Sequence, residues 1–151
     1  MQILLLEDVG RFSSTINFAL KQYNHVIDVC ARITQANAFL KNNKYDCMIV
    51  DLFLDTTGLD DNQRKESDSG YFTGWIWLRD KVFNDNLFDR RKVIIYSAYL
   101  VEFKAKKPNE NTDGIIMLPK NNKNHQDDPI KNIDKIINAL NKVQQYSKVS
   151  T

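Results

Sequence analysis

The chain has 151 residues, 42% of them hydrophobic and 26% charged. That balance describes one soluble globular domain, long enough to bury a core without disulfide or metal staples, and excludes a disordered chain. A formal net charge of +2 demands neither a nucleic-acid nor a membrane partner, and no basic helix-turn-helix is present to bind DNA. No apolar run approaches bilayer-spanning length. "MQILLLEDVG" lacks the basic n-region and small-residue cleavage site of a signal peptide, so a cytoplasmic protein is expected. The two cysteines, Cys30 and Cys47, lie in apolar strand-like runs and read as buried, reduced thiols.

Short apolar runs alternate with longer amphipathic ones. Residues 2–8 form a continuous apolar run of strand length, followed by helical spacing of Phe12, Ile16, Ala19 and Leu20. Residues 25–30 read as a strand, and 34–42 as a helix with Thr34 as N-cap. A second fully apolar strand covers 45–51, and a helix covers 74–83. Strand 91–98, a short weak helix 99–106 and strand 113–120 follow. The last helix is expected over 129–143, with Asp128 and Pro129 as N-cap and first-turn residue, and with Ile130, Ile133, Ile136, Ile137 and Leu140 along one face. The order βαβαβαβαβα predicts a parallel sheet covered by helices on both faces.

Two polar segments interrupt this rhythm. Residues 55–70, "DTTGLDDNQRKESDSG", carry five acidic residues and no apolar period, and read as a solvated insertion. Residues 121–128, which include His125, read as a polar loop.

The strand ends carry the chemistry. The first run ends on Glu7 and Asp8, the third on Asp51, the fourth on Ser97 and the fifth on Lys120. An open parallel sheet binds ligands outside the carboxyl ends of its strands, so these five groups should converge. Three crowded carboxylates call for a cation, and hard oxygen donors suit Mg²⁺. A carboxylate can also act as a nucleophile toward phosphorus. A lysine and a hydroxyl can hold phosphoryl oxygens, and phosphoryl transfer needs mainly positioning and charge neutralisation.

As a set, these residues resemble the response-regulator receiver (CheY-like) domains of two-component phosphorelay signalling. The resemblance spans about residues 1–145, with 55–70 as an insertion after the third strand and 146–151 as a tail; the domain either stands alone or is cut from a longer regulator. It implies a flavodoxin-like, doubly wound, five-stranded parallel sheet of order 2-1-3-4-5 with five helices in three layers. It implies Asp51 as phosphoacceptor, and Ser97 (followed by Ala98) and Lys120 as phosphoryl-binding groups. Mg²⁺ would be held by Glu7, Asp8, Asp51 and the backbone carbonyl of Phe53. The implied donor is a sensor histidine kinase or histidine phosphotransfer protein. The implied output is a downstream protein bound through the face made by the fourth helix, fifth strand and fifth helix, with a homodimer also allowed. Such a domain is a self-phosphorylating and self-dephosphorylating switch rather than a turnover enzyme.

The chain departs from the family pattern at several points. The insertion replaces a short turn, with Gly74 matching the glycine that starts the third helix. Asn121 stands where the family has proline after the lysine, and Pro119 precedes it instead. Met117 occupies the usual aromatic position on the fifth strand, for which Tyr96, Tyr99 or Phe103 can substitute. These departures keep open an alternative, a pseudo-receiver that acts as a phosphorylation-independent interaction or dimerisation module; the intact acidic set argues against it. An aspartate-nucleophile phosphohydrolase ranks last, because its second acid would fall on Phe53. Trp75 and Trp77 read mainly as core anchors, and Tyr99 and Phe103 as exposed aromatics of a partner surface. Phe53 and Tyr99 flank the acidic site and are expected to shield an acyl phosphate from water. Replacing both with small polar residues should shorten the lifetime of a phosphoryl group on Asp51, measured as decay of the phosphorylated mass.

Overall fold

The computed structural model describes residues 1–120 and 132–150. The expectations for Asn121, His125, Asp128, Pro129 and Ile130 lie outside the described residues. The strands are β1 (Gln2–Leu6), β2 (Val26–Cys30), β3 (Cys47–Val50), β4 (Val93–Ser97) and β5 (Ile116–Pro119). All neighbours pair in parallel, in the order β2-β1-β3-β4-β5. Helices α1 (Gly10–Lys21), α2 (Ile33–Asn42), α3 (Asp61–Glu66), α4 (Thr73–Trp77), α5 (Leu100–Lys106) and α6 (Ile133–Val149) connect and cover them. The α4 helix runs on into a π-helical turn, Leu78–Phe83.

The continuous apolar runs become the central strands because both faces of this sheet are covered. Successive side chains of a strand point to opposite faces, and the core divides accordingly. Leu4, Leu6, Met48, Val50, Val93 and Ile95 join Ile33, Ala36, Phe72, Trp75 and Phe103 on one face. Ile3, Leu5, Cys47, Ile49, Ile94 and Tyr96 join Ile16, Leu20, Ile136 and Leu140 on the other. The edge strands are less covered: Val26 and Val29 of β2 reach solvent, and β5 is half-buried. Cys30 and Cys47 are free, buried thiols belonging to opposite faces. Burial pushes the Cys30 thiol up to about 12, which keeps it an unreactive, neutral group.

Several sequence expectations need correction. The insertion is folded. Asp60 caps α3 by accepting from the Gln63 amide at 2.8 Å while Gln63 Oε1 accepts from the Asp60 amide at 3.0 Å, a reciprocal capping box. Leu59 and Ser67 are buried on either side of that helix. This added turn raises the helix count from the expected five to six α-helices among the described residues. Thr34 does not cap α2; the helix starts one residue earlier, with Arg32 in the N-cap position and the Ala31 amide donating to Gln35 Oε1. The last helix continues to Val149, through most of the segment read as a tail. Phe103 is not a surface aromatic: it is 1% exposed and packs edge-on against Phe72 and Trp75, with centroids 5.8 and 5.4 Å apart. Trp75 and Trp77 are both buried, and the Trp77 indole N–H donates to Asn37 at 2.8 Å. Among the described residues, no helix is long and apolar enough to cross a membrane.

One close approach ties the helix layer to the sheet edge. The Gly74 amide donates to the Leu52 carbonyl at 3.0 Å. A Cβ at Gly74 would meet the Asp51 carbonyl oxygen at 2.0 Å, and that neighbour is backbone, not a flexible side-chain tip. Gly10, by contrast, faces open space. Gly74→Ala is therefore expected to cost about 3 kcal/mol of stability by overpacking, read as a lower urea midpoint, whereas Gly10→Ala should leave the midpoint unchanged or raise it slightly.

Candidate functional site

Strand register assembles the site. Leu6 pairs with Val50, so Glu7 and Asp51 emerge side by side from the ends of β1 and β3. Ser97 pairs with Pro119, which places Lys120 one residue beyond β5. Ladder-like backbone bonds continue past the strands: the Glu7 amide donates to the Cys30 carbonyl, Asp51 to Leu6, and Lys120 to Ser97, each at 3.0 Å. Glu7, Asp51, Ser97 and Lys120 are all buried, while Asp8 is exposed.

Lys120 is the hub. Its Nζ donates to Glu7 Oε2 and, at 2.8 Å, to Asp51 Oδ2. The ammonium also lies 5.1 Å from the Phe12 ring centroid and 5.0 Å from that of Tyr96, so two aromatic faces flank it. The other carboxylate oxygens are held by backbone: Glu7 Oε1 accepts from the Val9 amide at 3.2 Å, and Asp51 Oδ1 from the Phe53 amide at 3.3 Å. The Ser97 hydroxyl oxygen accepts from the Tyr99 amide at 3.2 Å. Carboxylate oxygens of Glu7, Asp8 and Asp51 lie within 4.8 Å of one another.

Electrostatics follow from this crowding. Burial, followed by repulsion from Asp51, pushes the Glu7 carboxyl up to about 7 even though Lys120 pulls the other way. Asp8 is raised by the same two causes. Burial works against the Lys120 charge, but Asp51 and Glu7 outweigh it and hold its pKa above the ordinary value. The set is therefore short of positive charge. Its donors are hard oxygens at one partly open edge, which fits a small divalent cation.

The structure thus brings together all five residues named from the strand ends. Tyr96 and Phe103 are core residues on opposite faces of the sheet, whereas Tyr99 is half-buried and its backbone amide bonds the Ser97 hydroxyl. Met117 packs partly buried against the first face of the core. Tyr71 was not anticipated. Its ring centroid lies 4.9 Å from that of Phe53 and 4.9 Å from that of Tyr99, and the latter two are 5.5 Å apart. The residue follows the polar insertion, and its only sequence signal was an aromatic side chain at the end of that run.

Neither a protein-family model nor a curated protein matches this chain. Solved structures do. The receiver domain of the Francisella response regulator 1452 aligns over 96% of this chain and 98% of its own, with a TM-score of 0.61 and 16% identity. The signal receiver domain of a putative LuxO repressor protein from Vibrio parahaemolyticus aligns over 99% and 97%, with a TM-score of 0.63 and 14% identity. The fold is that of the receiver domains. A third neighbour, the receiver domain of sensor histidine kinase PA1611 from Pseudomonas aeruginosa, has a magnesium ion coordinated in its active-site cleft; it aligns over 95% and 97%, with a TM-score of 0.59 and 19% identity.

The raised Glu7 pKa has a thermodynamic consequence. Between its ordinary value of 4.5 and about 7, the folded chain retains a proton on Glu7 that the unfolded chain releases. The stability this contributes is fully present below the ordinary pKa and is lost as pH rises through the folded one. His25, lowered by burial and by the N-terminal ammonium, changes stability in the opposite sense, so the measurement must be differential. Without divalent cations, Glu7→Gln should gain Tm relative to the parent chain as pH rises from about 5 to about 8.

Proposed function

We propose that this chain is a phosphoryl-accepting switch in which Asp51 takes a phosphoryl group from a phosphohistidine on a sensor histidine kinase or phosphotransfer protein. The observation that carries this reading is the convergence of Glu7, Asp8, Asp51, Ser97 and Lys120 at the carboxyl edge of a receiver-type sheet, with Lys120 joined to both Glu7 and Asp51. A Mg²⁺ ion, held by Glu7, Asp8, Asp51 and the Phe53 backbone carbonyl, would neutralise charge on the phosphoryl oxygens. An Asp51 carboxylate oxygen attacks phosphorus, the P–N bond to the donor imidazole breaks, and its electron pair returns to nitrogen. Lys120, which now pairs with Asp51 at 2.8 Å, turns its ammonium to a phosphoryl oxygen once the carboxylate charge is consumed. Ser97 donates its hydroxyl proton to another oxygen.

Because the Ser97 oxygen also accepts from the Tyr99 amide, that movement reaches the start of α5. The output surface is then the face made by α5, β5 and α6, where a downstream protein or a second copy would bind; the switch acts in the cytoplasm and does not turn over substrate. Support comes from the neighbours' fold and from the donor set itself.

The test is incubation with Mg²⁺ and a small-molecule phosphodonor, followed by intact mass measurement, with Asp51→Ala as control. Addition of one phosphoryl group to the parent chain alone is the expected result. No adduct, together with no Mg²⁺ binding by titration, would overturn the reading in favour of a pseudo-receiver.

A further inference from the structure

The segment between Asp55 and Gly70 is polar and acid-rich, yet its second half is fastened to neighbouring elements. Arg79, in the π-helical turn, donates from Nη1 and Nη2 to Glu66 at 2.7 and 2.9 Å, and from Nη1 to Glu110 at 2.8 Å. Gln63 donates to Asp80 at 3.0 Å. Lys106 of α5 pairs with Asp68 at 2.5 Å. The segment then ends in three consecutive residues with positive φ: Asp68 at 53°, Ser69 at 58° and Gly70 at 93°. Two adjacent non-glycine residues in the left-handed region cost free energy and persist only where the surroundings enforce them. Gly70 fits closely, since a Cβ there would lie 3.0 Å from the Leu54 carbonyl oxygen. The product of this turn is the position of Tyr71.

That position lies against the two aromatic residues that follow Asp51 and Ser97 in sequence. Phe53, whose amide bonds the Asp51 carboxylate, and Tyr99, whose amide bonds Ser97, already bracket the site. Tyr71 touches both rings and closes a triangle with sides of 4.9, 5.5 and 4.9 Å. Burial, then Tyr71, then Asp51 raise the Tyr99 phenol pKa, which places both groups within its electrostatic reach. Phe53 and Tyr71 remain 37% and 38% exposed, so the triangle is a rim and not part of the core.

We infer that the insertion is an arm that delivers Tyr71 as the third wall of an aromatic screen over Asp51, and that this screen limits the access of water and small reagents to the acceptor. Arg79, through Glu66, is the positioning residue of the arm. The inference rests on the phosphoacceptor reading for its consequence, a slow hydrolysis in which a water oxygen attacks phosphorus, the P–O bond to Asp51 breaks, and carboxylate and inorganic phosphate are released. The screen itself does not require that reading. Excluding water is a recognised way to protect a reactive intermediate.

Two readouts test it. In an Asp51→Cys background, alkylation by iodoacetamide reports access to position 51, because Cys30 and Cys47 are buried. Tyr71→Ala should accelerate alkylation about fivefold, and Tyr71→Phe, which keeps the ring, should not. Glu66→Ala should accelerate it to a lesser degree, and should add nothing once Tyr71→Ala is present. In the chain with Asp51 intact, Tyr71→Ala should shorten the lifetime of the phosphorylated species by a similar factor, with Tyr71→Phe unchanged. Equal alkylation rates with and without Tyr71→Ala would overturn the screen. A full additional effect of Glu66→Ala in the Tyr71→Ala background would overturn the arm's role. If the chain accepts no phosphoryl group, the phosphoacceptor reading fails, and the alkylation rates still decide the screen.

Discussion

Lys120 holds together groups that would otherwise repel. Glu7 and Asp51 emerge from adjacent strands, both buried, and their charges are tolerable only because one ammonium bridges them. The bridge spans 113 positions of sequence on one side and 69 on the other, so it forms only when β1, β3 and β5 are in register. Site and fold are therefore the same event. The deficit that remains after this one cation is what makes the edge receptive to further positive charge, and it gives the site a direction: anything that removes charge from Asp51 frees Lys120 to move.

The sheet supplies the geometry and the glycine at position 74 permits the approach. A helix that begins against the carbonyl of Asp51 leaves no room for a side chain, so the end of β3 is walled by backbone. On the opposite flank, Phe12 and Tyr96 come from α1 and β4 to confine the lysine. The second ring of contacts is thus apolar, which lowers the local dielectric and strengthens each charge interaction within it.

Much of this was legible in the residues. Continuous runs such as "CMIV" and "VIIYS" marked buried parallel strands, and the polar residue at or just after the end of each, Asp51 and Ser97, marked the site. What escaped had weaker local signals or non-local causes. The α3 helix is announced by Asp60 and Gln63 at capping-box spacing, but the acidic composition around them masked it. Phe103 shares a face with Leu100 at helical spacing, and both are buried, a pattern that should have outweighed the shortness of its helix. Tyr71 could not be placed from sequence, because its position depends on a turn of three left-handed residues and on ion pairs to α5 and the π-helical turn.

The end of β5 has a consequence for assembly. Lys120 donates its amide inward to β4, so the nitrogen of the preceding residue points outward, and that residue is Pro119, which has no N–H to offer. An incoming strand would find no donor at the place where the sheet edge meets the site. Sheet continuation between two copies is disfavoured at that position, as is the strand-to-strand pairing that leads to aggregation.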